Sequence, residues 1–114
     1  MLKNDGVLLR HILDASKEAV AFAQGRSRTD LDANRMLNLS LVRLLEVVGE
    51  AARGVSRGLR ESQPHIAWKE MAGMRDRLIH GYFDVNLDMV WQTVTQDLPP
   101  LIAQVEKLVE SGNI

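Results

Sequence analysis

The feature that most constrains this chain is its apolar spacing. Hydrophobic side chains recur every three or four positions over nearly its whole length, with no two-residue alternation of the kind a strand needs. Leu8, Ile12, Ala15, Ala19, Phe22 and Ala23 predict a helix over about 4–24, which Gly25 stops before a polar link, Arg26-Ser27-Arg28. Thr29 or Asp30 is placed to cap a longer helix over roughly 30–55, with Leu37, Leu41, Leu44, Leu45, Val48, Ala52 and Val55 along one stripe. Leu31, Met36 and Leu39 widen that stripe beyond what one neighbour covers, which points to dimerisation. Gly49, Ala51 and Ala52 leave room for another backbone to come close. Residues 54–66 read as a turn-rich connector in which Ser56 caps a short helical turn before Pro64 ends it. A third main helix over about 67–81 turns Met71, Met74 and Leu78 inward and ends at Gly81. Asn86 caps the last helix, whose stripe is Leu87, Val90, Trp91, Val94, Leu98, Leu101, Val105 and Leu108. Pro99-Pro100 should kink it, and residues 111–113 should fray. The expected fold is all-α, an antiparallel four- to five-helix bundle in one domain spanning 1–114.

Composition narrows the chemistry. With 114 residues, 46% hydrophobic and 25% charged, the chain has ordinary globular usage. There is no cysteine, which excludes disulfides and thiolate metal sites and is compatible with a cytosolic protein. His11, His65 and His80 show neither His-x-x-x-His nor Glu-x-x-His spacing, so no metal or cofactor site is expected. Lys3, Asp5, Arg10 and Asp14 break any signal-peptide core, and no apolar run approaches the ~18 residues of a membrane span. Charge is uneven. Residues 51–82 carry six basic side chains against three acidic ones, whereas 83–114 carry Lys107 against five acidic ones. The basic centre suits a phosphate-rich ligand, the acidic tail suits a basic partner, and solvated helix faces also vary in this way.

Met74-Arg75-Asp76-Arg77-Leu78-Ile79-His80-Gly81-Tyr82 concentrates the reactive groups. On a helix, Asp76 and His80 are i,i+4 and share a face, so the carboxylate can accept an imidazole N–H and fix the tautomer. Arg75 and Tyr82, i,i+7, lie nearly in line. Arg75 and His80 stand about 140° apart around the axis and flank a groove. These groups suit RNA cleavage. RNA carries its own nucleophile, the 2′-hydroxyl, so a base, an acid and a cation on the phosphorane suffice without metal. Imidazole exchanges protons near neutrality, and guanidinium is a permanent planar fork for phosphate oxygens. One copy supplies one His and one Arg, and two copies across a two-fold axis would supply the acid–base pair. The alternatives are local and structural: a capping histidine, an Arg75–Asp76 ion pair, and Tyr82 as a buried anchor. Glu50, set among apolar neighbours, is either an exposed edge carboxylate or a partner for Arg75 or Arg77. Arg77 reads as a solvated or interface charge, Trp68 and Trp91 as core or interface aromatics, and Met71 and Met74 as gap-filling core.

Arg75, four residues, His80, one residue, Tyr82 is similar to the Arg-x4-His-x-Tyr signature of HepT proteins, a branch of the HEPN superfamily. The resemblance extends to Leu45-Glu46-Val47-Val48-Gly49-Glu50-Ala51-Ala52, to residues 68–75, to Val90-Trp91 and to Asp97-Leu98-Pro99-Pro100-Leu101. Ala67 stands where such proteins often have proline, and Asp76 where asparagine is also common. The resemblance implies a HEPN bundle that dimerises so that two Arg75/His80 motifs meet in a cleft. It implies a toxin acting as a metal-independent ribonuclease on RNA, with Asp76 orienting His80. It also implies a partner, an MNT-type nucleotidyltransferase antitoxin, that transfers AMP to Tyr82. A non-catalytic reading uses the same groove to bind a nucleotide or to dock that partner.

Overall fold

A computed structural model describes residues 3–111; Gly112 and Asn113, expected to fray, lie outside the described residues. Seven α-helices are present among them: α1 Lys3–Ala23, α2 Asp30–Ala33, α3 Arg35–Gly54, α4 Arg57–Ser62, α5 Trp68–His80, α6 Leu87–Gln92 and α7 Leu98–Glu110. No strand occurs among the described residues, so the all-α expectation holds. The central element is α3, which packs against α1 on one side and α5 on the other, while α7 closes over α1. Leu9, Ile12, Leu41, Leu45, Val48, Val94, Leu98 and Val105 are buried where these helices meet. α1 and α3 run antiparallel: the end of α3 at Gly54 meets Leu8, and the buried Asp5 carboxylate accepts from the Ser56 N–H at 2.9 Å and its hydroxyl at 2.6 Å.

The stops and starts follow local chemistry. Gly25 ends the α1 turn at φ 71, a left-handed conformation that glycine adopts without penalty. The helix expected over 30–55 is broken. At Asn34 the backbone is extended, and the Asn34 side chain accepts from the Leu37 N–H at 3.0 Å, starting α3 afresh. Thr29 makes no capping bond, and Asp30 instead accepts from the Ser27 N–H at 2.7 Å. Ser56 and Asn86 cap α4 and α6 as expected. Trp68 is buried, and its indole N–H donates to the Gln63 carbonyl at 3.0 Å, tying the connector to α5.

The last helix is joined from pieces. Its interruption takes the form of a π-helical turn, Thr93–Asp97, between α6 and α7. Pro99 and Pro100 then occupy the first turn of α7, where missing N–H groups cost least. The Leu98 N–H reaches five residues back to the Thr93 carbonyl, so the turn widens just ahead of the prolines. Leu37, Leu41, Leu45, Val48 and Ala52 face inward as expected, whereas Met36 is 81% and Leu39 51% exposed. The part of the α3 stripe that α1 and α5 do not cover therefore stays in solvent.

Candidate active site

The site is built on α5 where it crosses α3. The crossing is close because Gly49 has no side chain: a Cβ there would lie 2.6 Å from the Met71 carbonyl oxygen and would overlap the Cβ of Arg75. Met71, Met74 and Leu78 are buried, which turns Arg75 toward α3 and leaves Asp76 and His80 on the outer surface of α5. A cleft of about 460 Å³ opens beside the crossing, with Leu8, Val47 and Ile79 as apolar walls and Glu50, His11 and Arg75 as polar ones.

Arg75 is the better held of the two key groups. Its Nε lies 2.9 Å from Glu50 Oε2, and its terminal nitrogen donates to Asp76 Oδ1 at 3.1 Å. The Nε–H is buried and makes no aligned hydrogen bond, so the Glu50 contact is an ion pair by distance, not a directed bond. Of the two partners left open for Glu50, the structure selects Arg75. Asp76 Oδ1 also receives Arg53 from α3 at 3.3 Å. Glu50, Arg75, Asp76 and Arg53 thus form a ladder of alternating charge across the two helices. Sequence reasoning missed Arg53; its signal was position, three residues after Glu50 and so on the same edge of α3.

His80 is exposed at the last turn of α5. Its Nδ1 lies 2.9 Å from the main-chain carbonyl of Asp76. The carboxylate of Asp76, expected to receive this imidazole, does not: it is occupied by Arg53 and Arg75, and the carbonyl takes its place. A carbonyl only accepts, so Nδ1 is the donor in this bond, and the tautomer it selects has Nε2 bare. Tyr82 also departs from expectation. α5 ends at His80, and Tyr82 sits in the following turn, 79% exposed, so helical spacing no longer aligns it with Arg75, nor is it a buried anchor. Phe83, not singled out from the sequence, is 80% exposed and meets Tyr82 edge-to-face with ring centroids 5.8 Å apart. Arg77 is exposed, forms no ion pair among the described residues, and lines a second cleft of about 530 Å³ between α5 and α7. No group of three or more histidine, aspartate or glutamate side chains among the described residues could hold a metal ion. No helix among them is long and apolar enough to cross a membrane.

The family described as "Ribonuclease HepT-like" matches residues 12–108, a stretch that contains the whole Arg75–Tyr82 motif. The chain belongs to the HepT-like ribonuclease family. Among its relatives is a protein of Caldanaerobacter subterraneus named "Putative RNase", 36% identical over 109 residues, covering 96% of this chain and 97% of that one. A protein of the same name from Methanocaldococcus jannaschii is 36% identical over 102 residues, covering 90% and 84%. A "Probable ribonuclease HepT" of Thermococcus cleftensis is 35% identical over 100 residues, covering 88% and 91%. No solved structure matches the chain significantly. The HepT-like assignment agrees with the all-α bundle of HEPN type and with the resemblance carried by Arg75, His80 and Tyr82.

Proposed function

We propose that this chain is a metal-independent RNA endonuclease and the toxin of a toxin–antitoxin pair, with residues 1–114 forming one cytoplasmic HEPN domain. The observation that carries the reading is the His80 bond to the Asp76 carbonyl, which leaves Nε2 as a proton acceptor on the helix that also carries Arg75. In the proposed reaction Nε2 takes the 2′-hydroxyl proton. The 2′-oxygen attacks the adjacent phosphorus, and the bond to the 5′-oxygen breaks with a proton delivered from the imidazolium of a second copy. Arg75 stabilises the phosphorane, and the products are a 2′,3′-cyclic phosphate and a 5′-hydroxyl. Two copies are needed because one Arg75/His80 motif supplies one imidazole. The exposed Met36 and Leu39 of α3 support a homodimer, with the two motifs sharing a cleft.

Tyr82 is the proposed regulatory residue. Its phenol is exposed in the turn two residues after His80. A nucleotidyltransferase antitoxin would bond this oxygen to the α-phosphorus of ATP, releasing pyrophosphate and placing an anionic nucleotide over the site. The test of the catalytic reading is RNA cleavage in EDTA by the purified chain and by His80→Ala. Loss of at least about a hundredfold in rate with unchanged circular dichroism is expected for a general acid–base group. Equal cleavage by the two proteins overturns it. Absence of cleavage together with an ATP-dependent mass gain on Tyr82 in the presence of the partner would leave a regulated docking module instead.

A further inference from the structure

The second cleft lies against the same helix as the proposed catalytic groups, on the side away from Glu50. Its floor is apolar and sulfur-rich: Met71 and Met74 from α5, with Met89 from α6 and Leu101 from α7. Its volume, about 530 Å³, falls in the range of sites for small organic ligands. Arg77 stands at its edge without an ion-pair partner among the described residues. Asp97, also on the edge and also unpaired among them, is presented by the π-helical turn. The widened turn therefore shapes one wall, as π-turns often do beside functional sites.

The register of α5 relates this cleft to the reaction. Arg77 and His80 are i,i+3, so their Cβ atoms lie about 5–6 Å apart on adjoining surface. That separation is close to one nucleotide step along a single strand. A strand whose scissile phosphate lies at His80 would bring a neighbouring nucleotide over Arg77 and its base over the methionine floor. Thioether sulfurs are polarizable partners for aromatic faces, and a guanidinium can stack on a base or bind its phosphate. We propose that this cleft is a base subsite of the RNA strand: it takes the nucleobase next to the cleaved linkage, with Arg77 as the positioning residue. The inference rests on the ribonuclease reading above and deepens it, since single-stranded RNA is held chiefly by stacking and phosphate contacts.

The test uses the full chain labelled at its methionine methyl groups and a trinucleotide whose attacked position is 2′-deoxy and so cannot be cut. The Met71, Met74 and Met89 methyl signals should shift as it binds, while that of Met36, 81% exposed on α3, stays in place. With cleavable RNA, Arg77→Ala should raise KM about tenfold, the loss expected for one stacked base, with kcat and the pH profile held. Arg77→Lys should recover part of that loss. If RNA is cut but the three methyl signals do not move, the subsite is wrong and the ribonuclease reading stands. If the trinucleotide does not bind and RNA is not cut, both fall.

Discussion

Arg75 and His80 stand on one helix, yet the chain holds them in opposite ways. Arg75 lies in the α3–α5 crossing. Its stem is against Gly49, and its guanidinium is between Glu50 and Asp76. His80 is exposed at the helix end and is fixed by one bond from Nδ1 to a carbonyl of its own helix. Two exposed aromatic rings follow it. The difference teaches a division of labour. The guanidinium is placed by tertiary packing, whereas the imidazole is placed by local backbone and left exposed. A change at the crossing should therefore damage fold and site together, and a change near His80 should touch the reaction with little effect on stability.

The largest break in that comparison is Gly49→Ala. The new Cβ meets the Met71 carbonyl and the Arg75 stem, so the helices must separate, and a loss of about 1–3 kcal/mol is expected in denaturant unfolding. Cleavage should fall with it. An Ala variant of unchanged stability would show that the crossing is not what places Arg75. Glu50→Gln is the next step down. The pair is partly exposed, so stability should change by less than about 1 kcal/mol. Loosening Arg75 should still lower kcat by about tenfold, without raising KM, because removing an anion favours phosphate binding. Steady-state kinetics on a short RNA separate the two constants. The smallest effect is expected for Asp76→Asn. This change keeps both the carbonyl that holds His80 and an Oδ1 that can still accept from Arg75, so the pH–rate profile should not move and the rate should stay within about threefold. A displaced profile would return the orienting role to the carboxylate.

Much of this was legible in the sequence. The inward stripes (Phe22 apart, which is exposed), the small residue at the α3–α5 crossing and the caps at Ser56 and Asn86 are local patterns with local causes. Asn34 was not, because the apolar spacing runs on through it from Leu31 to Leu37 and hides the cap that restarts the helix. The π-helical turn was hidden for a similar reason, since one extra residue in a turn barely disturbs an apolar stripe. Spacing correctly put Asp76 beside His80 but could not say which oxygen meets the ring. That choice depends on Arg53, 23 residues away in the chain, which occupies the carboxylate. Arg77 reads from the sequence as a solvated charge and is one, but its place at a cleft is visible only in three dimensions, and Phe83 carries no signal of its own in one sequence.

The bare backbone of Gly49 has one more consequence. An arginine side chain is long, and immobilising its rotamers costs about 2 kcal/mol of conformational entropy. Here much of that ordering takes place when α3 and α5 pack, because the Arg75 stem is confined by the crossing itself. The cost is then a folding cost, met once for the lifetime of the protein and not at each encounter with a phosphate. A glycine with no side chain of its own thus helps set how little freedom the proposed site must surrender on binding.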